Sequence, residues 1–262
     1  MIDPLEFATN LAIQTGGVLQ KYFKPSGIQA SEKPDHTVVT EADLTADRLI
    51  TSAIHEHFPQ DEIISEESSH RLDNTQAPVW IIDPLDGTTN FSLGLPIWGV
   101  SIARLIDGFP QIGVLYFPLI NELYITKRGS GSTLNHVPIT TRAPDPNQPM
   151  SFFACCSRSF RLYNINIPYK PRIMGSGAYI FCLVARGSAL LGFDAAPKIW
   201  DLAAGWLLVE EAGGRNTAHE GSLPFPISTS IDYCMTNFPT LAAANAKLSE
   251  FGQKKIRRKS TS

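Results

Sequence analysis

Long apolar runs are missing from this 262-residue chain. No stretch approaches the ~18 consecutive apolar residues of a membrane helix, so no spanning segment is expected. Cysteine is scarce. Four cysteines are too few for a disulfide scaffold, and none stands in a C-x-x-C pair that would suggest zinc or redox chemistry. Cys155 and Cys156 are adjacent and point to opposite faces of any strand, so they are expected as buried free thiols. A surplus of basic charge is also absent. The net charge is −3, which argues against a dedicated nucleic-acid binder. The opening Met-Ile-Asp-Pro-Leu-Glu has no basic segment followed by an apolar run, so no secretory leader is expected and the location is read as cytoplasmic.

The charge is unevenly spread. Residues 254–259 hold five of the 22 basic residues, leaving 17 against 25 acidic ones, or −8, elsewhere. An acidic body points to clustered carboxylates, and such clusters bind cations. The basic segment itself reads as a frayed, solvated end, with residues 254–262 disordered.

What is present fits a globular protein: 43% apolar and 18% charged residues. At about 150 residues per domain this is one large domain or two small ones. Asp3-Pro4 opens a helix that Pro25 closes, and a second helix fits 41–57, with Leu49, Ile50, Ala53 and Ile54 on one face. Strands are expected at 62–65 and 78–83. An antiparallel meander follows at 97–106, 111–117 and 122–127, with Asp107-Gly108 at its first turn. Three prolines in 141–150 mark a boundary. It divides an N-terminal α+β part (1–145) with an antiparallel sheet from a C-terminal α/β part (146–262) with a mixed sheet. In the second part, strands are expected at 151–156, 189–195 and 231–236, and helices at 177–186, 200–212 and 239–250. The fold class is a layered αβαβα sandwich.

The chemistry concentrates in 79–91, Val-Trp-Ile-Ile-Asp-Pro-Leu-Asp-Gly-Thr-Thr-Asn-Phe. An apolar strand delivers Asp83 to its C-terminal end, where ligands gather in open α/β sheets. Pro84 turns the chain, Asp86 follows three residues on, and Gly87 permits a tight backbone. Two carboxylates so placed can bridge two hard cations, and oxygen ligands suit Mg²⁺. The amides of Gly87, Thr88 and Thr89 then form a helix N-terminus for an anion. An isolated Asp pair in a loop is more often a helix cap, but this unbroken string is more specific than that.

Asp83-Pro84-Leu85-Asp86-Gly87-Thr88-Thr89-Asn90-Phe91 resembles the signature of the inositol monophosphatase family. Three further motifs follow the same pattern: Ser65-Glu66-Glu67-Ser68, with serine where the family has glycine; Val39-Thr40-Glu41-Ala42-Asp43; and Trp200-Asp201-Leu202-Ala203-Ala204-Gly205 with Glu211-Ala212-Gly213-Gly214. The resemblance runs from about residue 5 to 250. It implies two to three Mg²⁺: Glu66, Asp83 and the Leu85 carbonyl on the first, Asp83, Asp86 and Asp201 on the second, Glu66 facing a weaker third. It implies that Glu66 and Thr88 orient an attacking water, that Thr88 bonds to Asp43, and that Lys33 assists from a covering loop. From sequence alone, Asp43 reads equally well as a first-turn charge favoured by the helix dipole.

On the substrate side the resemblance implies Gly175, Ser176 and Gly177 together with Asp194 and Asp201. The inositol-specific members carry Glu where this chain has Asp194, a carboxylate about one methylene shorter. The implied reaction is hydrolysis of a small polyol or sugar phosphate monoester. Inositol 1-phosphate is the first choice, with histidinol phosphate and fructose 1,6-bisphosphate as alternatives. The Thr-Thr-Asn-Phe ending differs from the bisphosphate nucleotidase branch. The resemblance also implies lithium sensitivity and a homodimer; neither a nucleic-acid nor a membrane partner is expected. A phosphatase of the haloacid-dehalogenase type needs Asp-x-Asp, which Asp83 and Asp86 do not form. An inactive relative that binds a polyol phosphate or acts as a regulator is the alternative of another class, and it predicts loss of at least one ligand. His55-Glu56-His57 reads as helix surface, and Trp98, Trp200 and Trp206 as core.

Overall fold

The computed structural model describes residues 2–32, 38–68, 71–72, 74, 76–145 and 151–259. Helix α1 (Pro4–Tyr22) begins where the Asp3 carboxylate accepts the Leu5 amide at 3.0 Å. A short ladder, β1 (Ser31–Glu32) with β2 (Val38–Val39), leads to α2 (Glu41–His57). Both helices lay apolar stripes on one face of a seven-stranded sheet: Ala8, Leu11, Ala12 and Leu19 from α1, and Ala42, Ala46, Ile50 and Ile54 from α2. His55, Glu56 and His57 are exposed, as expected for helix surface.

That sheet is built from β3 (Glu62–Ser65), β4 (Val79–Asp86), β5 (Gly99–Ile106), β6 (Phe109–Phe117), β7 (Glu122–Lys127), β8 (Gly131–Leu134) and β9 (Val137–Ile139), in that order. The short helix α3 (Thr88–Ser92) sits between β4 and β5. The meander is present, with β8 and β9 extending it beyond expectation. The sheet is antiparallel except for the β3–β4 pair. Asp107 (φ 51°) and Gly108 (φ 79°) make the β5–β6 hairpin with two left-handed residues, the geometry that matches strand twist.

The second half supplies β10 (Phe152–Cys155), α4 (Ser159–Leu162), β11 (Tyr163–Ile165), β12 (Lys170–Arg172), α5 (Gly177–Ala185), β13 (Ala189–Asp194), α6 (Ile199–Glu211), β14 (Arg215–Ala218), β15 (Thr240–Ala243), α7 (Ala246–Lys255) and β16 (Ile256–Arg258). A mixed five-stranded sheet orders as β12-β10-β13-β15-β14. Helices α5 and α6 lie between the two sheets, and α7 covers the far face of the second. This is the expected αβαβα layering. Sandwiched between sheets, α5 and α6 are apolar nearly all round. They approach so closely that a Cβ at Gly205 would lie 2.7 Å from Phe181 Cβ. Trp98, Trp200 and Trp206 are buried, and all four cysteines are free.

Two expected elements differ. Residues 231–236 form a turn in which Asp232 accepts the amides of Cys234 and Met235 at 3.1 and 3.3 Å, not a strand. The expected helix over 239–250 is instead strand β15 followed by α7. Thr240 to Ala243 is buried on both faces in mid-sheet, so its alanines show no alternation. The helix starts only where the Asn245 side chain accepts the Leu248 amide at 2.9 Å. The basic end is not frayed as far as Arg258: Lys254 and Lys255 close α7, and β16 pairs antiparallel with β11. Arg258 adds contacts to Glu220 (2.7 Å) and Tyr163 (3.2 Å). No helix of the described residues is long and apolar enough to cross a membrane.

Candidate active site

Strand β4 is buried along all eight residues and runs between β3 and β5. In a regular strand, residues three apart point to opposite faces. Here the register with β5 slips: Asp83 pairs with Ser101, but Asp86 with Gly99. Pro84 cannot donate to the ladder, and the irregularity it occupies re-aims the strand end. Asp83 and Asp86 thereby reach one side. Asp201, in the first turn of α6, joins them, and one carboxylate oxygen from each of the three lies within 4.8 Å of the others. Glu66 follows β3, its amide bonded to Ile82 O at 3.2 Å, and lines the same 230 Å³ pocket.

Burial pushes the carboxyls of Asp83 and Asp201 well above the usual range. Glu66, Asp86 and Asp201 add repulsion at Asp83, and Asp86, Asp194 and Glu66 at Asp201. Burial raises Asp86 to about 6, against hydrogen bonds that favour its ionised form. Those bonds come from the start of α5: the Ser176 hydroxyl, the Gly177 amide at 2.9 Å and the Ala178 amide at 3.3 Å. The N-terminus of this helix is thus directed at Asp86, and Ser176 Oγ also caps it by accepting the Tyr179 amide at 3.1 Å. Like charges held this close out of water require cations or protons.

Asp43 divides its carboxylate. One oxygen accepts the Thr40 amide at 2.8 Å and the Thr40 hydroxyl, which caps α2; the other accepts the Thr88 hydroxyl at 2.8 Å. Asp43 thus sits in the first turn of α2 while also accepting the Thr88 hydroxyl. Burial raises its carboxyl, and bonds from Thr40 and Thr88 oppose the rise. Thr88 Oγ1 also lies 2.9 Å from the Leu85 carbonyl. Gly87 precedes α3 with φ 86°, and a Cβ there would meet Ile97 O at 2.9 Å.

A larger cavity of about 710 Å³ adjoins this pocket and shares Glu66, Thr89, Arg158, Gly175 and Asp201 with it. Ser176, Gly177 and Asp194 line it as well. Asp194 is buried, accepts the Ala196 amide at 3.1 Å and has Cys156 beside it; burial raises its carboxyl. The structure therefore brings together Glu66, Asp83, Leu85, Asp86, Gly87, Thr88, Thr89, Gly175, Ser176, Gly177, Asp194 and Asp201, with Asp43 behind Thr88. Lys33 lies outside the described residues.

Three supports were not expected. Asn90 Nδ2 donates to Ile97 O and Met174 O, both at 2.7 Å, and so ties α3 to the segment before α5. Asp47 is buried and accepts the hydroxyls of Ser65 and of Ser68 (3.3 Å), on either side of Glu66. The signal for this pair was Ser65 itself, the position where the motif departs from glycine. The third support is Arg158, which lines both cavities.

The layered αβαβα fold thus places a carboxylate cluster where β4, β3 and α6 converge. The chain belongs to the inositol monophosphatase family, which it matches over residues 3–254. Similar relatives include Nus factor SuhB of Salmonella typhimurium, 38% identical over 221 residues (80% of this chain, 83% of that protein). Another is a histidinol-phosphatase of Chlorobaculum parvum, 36% identical over 222 residues (82% and 85%). Among solved structures, the Thermotoga maritima IMPase superposes with a TM-score of 0.79 at 25% identity, covering 97% of this chain and 96% of that one. Inositol monophosphatase from Anabaena gives 0.72 at 29%, covering 95% and 93%.

Proposed function

We propose that the protein hydrolyses a small polyol or sugar phosphate monoester to alcohol and phosphate, with Mg²⁺ as cofactor. The observation that carries this reading is the convergence of Asp83, Asp86 and Asp201 beside the Thr88–Asp43 hydrogen bond. The donor set fits the ion: carboxylate oxygens of buried Asp83 and Asp86 and half-buried Asp201, with Glu66 and the Leu85 carbonyl on the same pocket, suit a hard cation. Glu66, Asp83 and Leu85 would hold one ion, Asp83, Asp86 and Asp201 a second, and Glu66 would face a third. Bound there, Mg²⁺ supplies the positive charge that a phosphate dianion needs and makes water acidic enough to attack at neutral pH.

The chain's own groups do the positioning. Thr88 has one proton to share between Asp43 and Leu85 O, so a lone pair remains to accept a hydrogen bond from the attacking water. Glu66 accepts the water's proton. First-turn amides of α3, from Gly87 to Thr89, donate to the phosphate oxygens. Asp194 accepts hydrogen bonds from hydroxyls of the alcohol, and Gly175 to Gly177 form the adjoining wall. No covalent enzyme intermediate is required.

A purely regulatory role is the competing reading, since relatives at 38% identity carry the name Nus factor. The presence of Glu66, Asp83, Asp86 and Asp201 favours hydrolysis. The test is phosphate release from inositol 1-phosphate, histidinol phosphate and fructose 1,6-bisphosphate with and without Mg²⁺. Turnover of at least one, strictly dependent on Mg²⁺, supports the reading; none overturns it. Li⁺ at roughly tens of millimolar should inhibit by competing for a hard oxygen site. The chain is expected to act as a homodimer, and a monomer mass by light scattering would contradict that.

A further inference from the structure

The 230 Å³ pocket has room for phosphate and its counter-ions, whereas the adjoining 710 Å³ cavity lies within the ~300–1,000 Å³ range of ligand pockets. Basic groups line that cavity: Arg158, which also borders the carboxylate pocket, and Arg161 and Lys198, which line the larger cavity alone. Lys198 is already engaged, its Nζ donating to Cys234 O. Arg158 and Arg161 are not. Arg158 is the residue before α4 and Arg161 follows three positions later, so both stand on the same side of that helix. Both line the cavity, Arg158 half-buried and Arg161 exposed. Neither guanidinium makes a hydrogen bond or ion pair with another described residue, although the Arg158 carbonyl accepts the Leu162 amide at 3.0 Å. Arg158 lies near Asp194 without pairing with it. Guanidinium groups match carboxylate and phosphate in a two-pronged geometry, and one left unpaired beside a ligand cavity has its donors aimed at nothing in the protein.

We infer that Arg161, together with Arg158 at the junction of the two cavities, binds a second anionic group, a carboxylate or a phosphate, on the part of the substrate that occupies the larger cavity. This rests on the phosphatase reading and narrows it: the favoured alcohol is itself an anion, and a neutral polyol such as inositol leaves both arginines without a partner. Hydrolysis proceeds as for any monoester. Water attacks phosphorus, the phosphorus–oxygen ester bond breaks, the alcohol oxygen takes a proton, and the second anionic group is unchanged.

The test uses three six-carbon phosphates that share a chain and differ at the far end: glucitol 6-phosphate (hydroxyl), 6-phosphogluconate (carboxylate) and glucitol 1,6-bisphosphate (phosphate). Wild-type protein with Mg²⁺ should favour one of the two anionic-tail compounds over glucitol 6-phosphate by about tenfold or more in kcat/KM, chiefly through KM. The compound favoured tells carboxylate from phosphate. That preference ratio should collapse in Arg158→Gln and shrink in Arg161→Gln. Arg161 is exposed, so its variant keeps the test open if Arg158→Gln fails to fold. No preference in the wild type, or a ratio unchanged in both variants because all three compounds weaken alike, overturns the inference; the second result makes Arg158 only a counter-charge for Asp194. If none of the three is hydrolysed, the same comparison is made by calorimetric binding. Preferential binding of an anionic-tail compound that the variants lose then upholds the arginine site while the phosphatase reading falls.

Discussion

The Gly177 amide donates to Asp86 Oδ1 at 2.9 Å across 91 positions of sequence. The bond joins the end of β4, in the first sheet, to the start of α5, between the sheets. With the Ser176 hydroxyl and the Ala178 amide it gives a buried carboxylate three donors, which favour its ionised form in surroundings that otherwise oppose it.

Asp86→Asn follows from that relationship. The amide keeps an oxygen for Gly177 and Ala178 but removes the charge. Mg²⁺-dependent turnover should fall by about 100-fold or more. The melting temperature in EDTA should stay level or rise, because a buried like charge is gone from the cluster. Near wild-type turnover would show that Asp86 is not a metal ligand.

The metal-free protein should lose stability as pH rises. Asp86 has a folded value of about 6, against an ordinary 3.8 when unfolded. Below 3.8 both states hold the proton, so no penalty is felt. Between the two values the unfolded chain ionises and the folded one resists, so stability falls with rising pH. Asp83 and Asp201, also raised by burial and by their neighbours' charge, add to the fall. Mg²⁺ favours the ionised cluster. The difference in melting temperature between Mg²⁺ and EDTA should therefore be small near about pH 4.5 and grow toward about pH 8. A difference independent of pH would contradict this.

Asp47 should act on Glu66 without touching substrate, since it holds the hydroxyls of Ser65 and Ser68 on either side of it. In Asp47→Asn, and more mildly in Ser65→Ala, the Mg²⁺ concentration for half-maximal activity should rise about tenfold, the usual effect of losing a support behind a ligand. Stability should drop by about 1 kcal/mol for Ser65→Ala. An unchanged Mg²⁺ requirement would reduce the pair to a fold contact.

Much of this site was legible because its groups sit in short, unbroken strings. Asp83 to Phe91 places the two carboxylates, the Pro84 break, the left-handed Gly87 and the first turn of α3 within nine residues, and Asp201 follows the capping position of an apolar helix. What was not legible depends on partners distant in sequence. Nothing near Asn90 announces Met174, and nothing near Asp47 announces Ser65. Asp43 read as a first-turn charge or as a partner of Thr88, and only the fold shows one oxygen on Thr40 and the other on Thr88. β15 was hidden because a strand buried on both faces and rich in alanine has no alternation. The basic end looked solvated because its partner strand, Tyr163–Ile165, lies more than ninety residues earlier.

The most direct test of the central claim is a Mg²⁺ titration of phosphate release, run on the wild type and on Asp201→Asn with whichever monoester is turned over. The account predicts no release in EDTA, saturable activation by Mg²⁺ in the wild type, and a loss of about 100-fold or more in a variant that remains folded. Release that persists in EDTA, or an Asp201→Asn protein with an unchanged Mg²⁺ response, would contradict it.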